Sequence, residues 1–255
     1  MQSDDRRLRF LRAIGVQAWV LREPAESETI ADRGAVVPPP YAEDAASQGP
    51  EVEAARNSEG DVAAVPVETL DWDALAKTVA TCQQCALHKG RTQTVFGTGS
   101  KTAKWLIVGE APGADEDAAG EPFVGKAGKL LNAMICAVGA EREQVYIANI
   151  VKCRPPSNRN PRVDEAASCA PFLHRQIALL KPELILAVGR VAANNLLGNE
   201  KTLASLRGQV YEFSATRIPL VVTYHPAYLL RKPSDKAKAW QDLKLAMSVA
   251  SPLAS

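Results

Sequence analysis

Trp105-Leu106-Ile107-Val108 runs directly into Gly109-Glu110-Ala111-Pro112-Gly113-Ala114-Asp115-Glu116-Asp117, and this junction decides the fold. An apolar run broken by glycine and proline reads as a buried strand ending in a functional loop. A helical pattern follows over 123–138. Three more strand patterns, at 144–150, 183–188 and 219–224, alternate with helical stretches. Strands and helices in alternation form βαβ units, so the expected fold is α/β: a three-layer αβα sandwich around a four-stranded parallel sheet. Ligands bind such sheets where the strands end. Glu110, Asn149 and His225 all fall at those ends.

The chain has 255 residues, 46% of them hydrophobic, enough for one sizeable core with an appendage. No stretch approaches the roughly 20 apolar residues of a membrane span. No charged n-region with an apolar h-region opens the chain, so a cytoplasmic protein without a membrane anchor is expected, one in which disulfides are rare. The net charge of +1 hides an asymmetry: 23–73 holds 13 acids and two bases, whereas 77–255 holds 23 bases and 14 acids. A basic folded part with an acidic tether suits an anionic partner, nucleic acid first. An excess of +9 over that many residues is also common among proteins that bind no nucleic acid, so charge alone decides little.

Three regions follow. Residues 1–22 read as a short amphipathic helix with Leu8, Leu11 and Ile14 on one face. Residues 23–69, rich in Ala, Glu and Pro, read as a disordered acidic linker. The folded domain is expected over 70–255, beginning with a helix capped by Asp71 or Asp73 that turns Trp72, Leu75 and Val79 inward. Beyond Asn149 lies Lys152-Cys153-Arg154-Pro155-Pro156-Ser157-Asn158-Arg159-Asn160-Pro161-Arg162, a long basic loop that its prolines keep irregular. A helix is expected over 163–180, a hairpin over 203–213, and a closing helix over 235–249.

Cys82 and Cys85 form a C-x-x-C pair, and Cys153 and Cys169 a second pair. Two pairs beside loops and helix ends favour a metal site over a redox couple. Zinc and an iron–sulfur cluster both fit four thiolates, and spacing does not separate them. His88 and His174 read as ordinary surface or cap histidines. Cys136, among Met134 and Ile135, reads as core. Gly120 to Ala127 nearly matches G-x-x-x-x-G-K-[ST], but Ala127 lacks the hydroxyl that would hold Mg²⁺, so a nucleotide triphosphatase is rejected.

Four blocks together resemble the family 4 uracil-DNA glycosylases, the iron–sulfur branch of that superfamily. They are Cys82-x-x-Cys85; Gly109-Glu110-Ala111-Pro112-Gly113 through Glu121-Pro122-Phe123-Val124-Gly125; Asn149 through Cys153-Arg154-Pro155-Pro156 to Cys169; and His225-Pro226-Ala227-Tyr228-Leu229-Leu230-Arg231. They stand in the family's order over about 78–247. The resemblance implies that Cys82, Cys85, Cys153 and Cys169 hold a [4Fe-4S] cluster. It implies a monofunctional hydrolase of base excision repair, acting as a monomer on uracil-containing DNA, single- or double-stranded. The N-terminal extension would suit docking to repair or replication proteins.

Such an enzyme must flip the nucleotide out of the stack to reach its glycosidic bond. The resemblance gives Phe123 the stacking surface and Asn149 the reading of uracil N3–H and O4, with Glu110, Ala111 and Gly113 lining the pocket. His225 would donate to O2 as charge develops on the departing base, helped by N–H groups of the 110–113 loop. In the best-known branch the first motif is Gly-Gln-Asp-Pro-Tyr, whose Asp orients water. Here Ala111 stands at the Asp position and Gly113 at the Tyr position. Glu110 and Glu116 are then the candidate catalytic carboxylates, and Glu116 could also narrow the pocket against the thymine methyl. Asp115 and Asp117 read as a solvated acidic loop. Arg154, Arg159, Arg162 and Arg231 would contact phosphates, and Tyr228, Leu229 or Leu230 would wedge into the stack.

Three alternatives compete. One is a catalytically weak iron–sulfur DNA-binding protein tethered to replication or repair machinery. A second, a relative that traps DNA covalently through a histidine on the basic loop, is disfavoured because no histidine lies between Asn149 and Cys169. The third is a zinc-stabilised α/β hydrolase of another kind.

Overall fold

The computed structural model describes residues 66–213 and 216–251. The helix expected over 1–22 and most of the linker expected over 23–69 lie outside the described residues. Val67 and Leu70 already pack against the core, and Arg175 Nε donates to the Leu70 carbonyl at 2.6 Å. Helix α1, Trp72–Ala80, begins because the Asp71 carboxylate accepts from the N–H groups of Asp73 and Ala74. Such a cap is worth about 1 kcal/mol.

Six strands form one sheet: β1 (Thr98–Gly99), β2 (Trp105–Gly109), β3 (Tyr146–Asn149), β4 (Leu184–Val188), β5 (Val210–Phe213) and β6 (Ile218–Thr223). Their order is β1-β3-β2-β4-β6-β5. The four expected strands are its centre, β3-β2-β4-β6, all mutually parallel. The expected four-stranded sheet is therefore corrected to six, because β1 and β5 add antiparallel edges. The expected hairpin over 203–213 is replaced by the short helix Leu203–Leu206 followed by β5, which pairs with β6 instead.

The helices are α2 (Ala114–Ala119), α3 (Lys126–Ala137), α4 (Val163–Leu180), α5 (Arg190–Leu197), α6 (Leu203–Leu206), α7 (Pro226–Arg231) and α8 (Lys236–Val249). Strand residues alternate between two cores. Leu106, Val108, Ala148, Ile185 and Val222 pack with residues of α1, α4, α5 and α6 on one face. Trp105, Ile107, Ile147, Leu186 and Val221 pack with α3, α7 and α8 on the other. All five residues of β2 and of β4 are buried, the pattern of strands covered on both sides. Fully burying one such side chain contributes about 1.5–3 kcal/mol.

Two readings of local sequence are corrected here. The acidic stretch is not a solvated loop: it forms α2, and Asp117 is buried, accepting from the Thr92 N–H with both carboxylate oxygens at 3.0 Å. Cys136 is half-buried rather than plain core. No helix of the described residues is long and apolar enough to cross a membrane.

Candidate active site and cysteine cluster

Strand order reverses between β2 and β4, whose carboxyl ends open the crevice expected of such sheets. A cavity of about 500 Å³ lies there, lined by Glu110, Gly113, Glu116, Phe123, Asn149, His225 and Arg231, with Asn158 to Asn160 of the basic loop. The loops after β2, β3 and β6 each contribute. Register brings the first two together, since Gly109 pairs with Asn149. Gly109 must lack a side chain: a Cβ there would stand 2.4 Å from Asn149 Oδ1 and 2.6 Å from the Phe123 ring.

Asn149 is 2% exposed, and its Oδ1 is buried without a hydrogen-bond partner. An orphan acceptor is costly unless a ligand satisfies it. Phe123 sits just before α3 with φ 56°, a left-handed conformation unusual for an aromatic residue. The chain is held in that shape from two sides. Gly128 of α3 packs so tightly that a Cβ would fall 1.7 Å from the Phe123 carbonyl oxygen. Arg142 donates to the Pro122 carbonyl at 2.5 Å. The Phe123 and His225 rings face each other at 5.6 Å between centroids, tilted by 31°.

His225 caps α7, and its Nδ1 accepts from the Ala227 N–H at 3.2 Å. Burial, aided by the Arg231 charge, lowers its pKa to about 4 against a weaker opposing pull from Glu116. The ring is therefore neutral near pH 7. With Nδ1 an acceptor, its proton sits on Nε2. Gly189, at φ 98°, passes beneath this ring, where a Cβ would stand 3.1 Å from that of His225.

The two carboxylates have different surroundings. Glu110 is half-buried, and desolvation raises its pKa while the Arg190 charge opposes the shift. Glu116 accepts from three backbone N–H groups: Gly113 at 3.0 Å, Val124 at 3.0 Å and Gly125 at 3.2 Å. It fastens the 110–113 loop to the turn that carries Phe123.

The basic segments are partly committed. Arg159 makes a two-pronged pair with buried Glu165, at 2.6 and 2.8 Å, and the guanidinium holds the Glu165 pKa down to about 2. Arg154 Nε donates to Asn158 Oδ1 at 2.7 Å. Arg162 and Arg231 are exposed. Tyr228 stacks on Tyr224 at 4.9 Å, and its hydroxyl donates to Asp235 at 2.6 Å. Leu229 is 1% exposed within the core, whereas Leu230 is 43% exposed. Of the three apolar candidates, Leu230 is the side chain that this turn presents to solvent.

The four cysteines line a second cavity together with His88, Arg91, Lys152 and Phe172. Among the described residues, no three Cys, His, Asp or Glu side chains converge as they would on a single metal ion. In a four-iron cluster each thiolate takes a different iron, so the ligands stand further apart than around one ion. Two donors already point at sulfur: Arg91 Nη1 to Cys153 Sγ at 3.1 Å and the Lys152 N–H to Cys169 Sγ at 3.3 Å. Burial pushes the Cys169 thiol up to about 11, and those of Cys85 and Cys153 in the same direction. Deprotonating sulfurs in such surroundings calls for positive charge, which Arg91, Lys152 and bound iron would supply. The donor set and its hydrogen bonds fit a cluster. His88, read as ordinary, lines this cavity with Nδ1 2.8 Å from the Cys85 carbonyl oxygen, whereas His174 lies against Phe213.

Arg91, Lys152 and Arg190 were not anticipated by the sequence reading. Lys152 carried a signal: it stands between the apolar pair Ile150-Val151 and a cysteine, at a buried position.

Residues 96–244 match the uracil DNA glycosylase superfamily model. The chain is 42% identical over 178 residues to a type-4 uracil-DNA glycosylase of Archaeoglobus fulgidus, covering 68% of this chain and 89% of that protein. It is 39% identical over 165 residues to the type-4 enzyme of Thermotoga maritima, covering 64% and 85%. A type-5 enzyme of Pyrobaculum aerophilum is more distant, at 29% over 148 residues, covering 51% and 64%. The chain belongs to the uracil-DNA glycosylase superfamily and, within it, groups with the type-4 enzymes.

Proposed function

We propose that this protein is a monofunctional uracil-DNA glycosylase of base excision repair, which hydrolyses the N-glycosidic bond of a flipped uracil and leaves an abasic site. The observation that carries the reading is the orphan acceptor of Asn149 in the same cavity as a neutral His225. Uracil offers a donor at N3 and an acceptor at O4, which matches the Asn149 carboxamide with Oδ1 accepting. Cytosine reverses both groups and would leave two buried mismatches, each costing about 1–3 kcal/mol. Phe123 supplies the stacking face.

As the bond between N1 and C1′ breaks, its electron pair moves onto uracil N1 and O2. His225 Nε2–H donates to O2 without giving up its proton, an oxyanion-type stabilisation that typically contributes 10²- to 10³-fold in rate, to order of magnitude. The sugar is left cationic at C1′. Glu110, just beyond β2, stabilises that cation in this reading and takes the proton of the water that adds there. Glu116 acts by holding the loop and forms a fixed wall against the thymine methyl. Arg154, Arg162 and Arg231 grip phosphates, and Leu230 fills the space left in the stack.

Cys82, Cys85, Cys153 and Cys169 would hold a [4Fe-4S] cluster. A cluster there would supply a structural cross-link between the C-x-x-C, Cys153 at the start of the basic loop and Cys169 in the helix that follows it, with no electron transfer in the reaction.

The test uses an oligonucleotide with one uracil, alkaline cleavage of abasic sites, thymine and hypoxanthine controls, and the His225→Ala variant. Scission at uracil that falls at least about 100-fold in the variant is expected. Folded wild-type protein that binds this DNA without releasing base would replace the enzyme with the tethered binding protein.

A further inference from the structure

Lys152 is 2% exposed, and it is the only buried lysine among the described residues. A lysine in such a place is retained only if its amine is well bonded. Its Nζ donates to the Asn149 carbonyl oxygen at 3.0 Å and to Gln176 Oε1 at 2.7 Å. Its backbone N–H donates to Cys169 Sγ at 3.3 Å, and the next residue is Cys153. Gln176 is itself fixed, donating to the Phe96 carbonyl at 2.9 Å and lying 3.3 Å from the Tyr146 hydroxyl. It stands two turns beyond Cys169 on α4. One residue thus touches the cysteine cavity through its main chain and the base-reading residue through its side chain.

We propose that Lys152 is the positioning residue that transmits the fit of the cysteine cluster to Asn149, so that the cluster sets base recognition as well as loop shape. The proposal rests on Asn149 reading the uracil edge. Asn149 is the last residue of β3, and the peptide that follows it is held from two sides: the Ile150 N–H donates to the Gly109 carbonyl of β2 at 3.0 Å, and the Asn149 carbonyl accepts from Lys152 Nζ. The ammonium pins that peptide against α4. Donation to the Asn149 carbonyl does not depend on the charge of the amine, since neutral and protonated amines both carry N–H groups. A rotation of that peptide would swing the carboxamide away from uracil N3 and O4.

The test is made on cluster-loaded full-length protein, with Lys152→Met and Gln176→Met. Four quantities are read: visible cluster absorbance, unfolding temperature, affinity for a DNA carrying a stable abasic-site analogue, and inhibition of base release by free uracil. Free uracil reports the Asn149 pocket, whereas the abasic DNA reports the outer face. Both variants are expected to keep the cluster and the abasic-DNA affinity while uracil inhibition weakens about 10- to 100-fold, the usual cost of losing a supporting hydrogen bond behind a ligand group.

Unchanged uracil inhibition in both variants would overturn the proposal. So would a parallel loss of cluster, unfolding temperature and abasic-DNA affinity, which marks general damage rather than positioning. If Lys152→Met does not fold, Gln176→Met decides, because it leaves the neighbour of Cys153 untouched. Failure of wild-type protein to release uracil at all would refute the proposed function and is a separate result.

Discussion

A histidine that donates without titrating gives this site a pH signature. Burial holds His225 at a pKa of about 4, against about 6.5 for an exposed histidine. Between those values an unfolded chain binds a proton that the folded chain does not. The contribution of this residue to stability is therefore full above about pH 6.5 and is lost as pH falls toward 4. Base release at saturating DNA is expected to show no inflection near pH 6.5. A single-turnover profile from pH 4 to 8 checks this, and a step near 6.5 that disappears in His225→Asn would contradict the neutral donor. The sequence announced Asn149 and His225 because they fall where apolar runs end, and Phe123 through the family motif that holds it. It could not announce the left-handed φ of Phe123 or the open Oδ1 of Asn149. They depend on Gly109 lying against the Phe123 ring and the Asn149 carboxamide, and on Gly128 lying against the Phe123 backbone.

Glu116 shows how an element is built from one side chain. Its three accepted N–H groups join the turn before α2 to the turn before α3. Glu116→Ala is expected to lower stability by about 2–3 kcal/mol, since hydrogen bonds to a charged group are worth about 1.5–3 each and water recovers part of the loss. Denaturant midpoints measure it, and an unchanged midpoint would refute the clasp. Glu116→Gln, which keeps one acceptor oxygen, should lose less. The central strands were legible because apolar runs of five buried residues leave little choice. Two elements were not. Helix α2 holds three acids in its first turn and has almost no apolar face, so its stability comes from capping and from Asp117 reaching Thr92. Strand β1 is two residues long and ends in a glycine at φ 117°, where a Cβ would collide with the Val145 carbonyl oxygen.

For the whole molecule, the cysteines bring to one cavity parts of the chain that lie far apart in sequence. Cys82 and Cys85 follow α1, Cys153 follows β3, and Cys169 lies within α4. Removal of iron by a chelator is expected to bleach the protein, weaken abasic-DNA affinity and lower the unfolding temperature by about 5 °C or more, equivalent to roughly 2 kcal/mol for a domain of this size. Bleached protein that kept both properties would remove the structural role. The basic character of the strand-end face was also visible in the sequence, but its internal pairing was not. Glu165 engages Arg159 from the first turn of the following helix, in contact that no count of charges reveals.

That pairing changes how the protein meets a polyanion. Arg159 reaches the cavity already neutralised by a buried carboxylate, so it has little charge left to exchange for the cations condensed along DNA. Fewer ions are released on binding than a tally of arginines would suggest, and the dependence of affinity on salt is correspondingly shallower. Grip on the strand then leans on shape and stacking, which ionic strength does not erode.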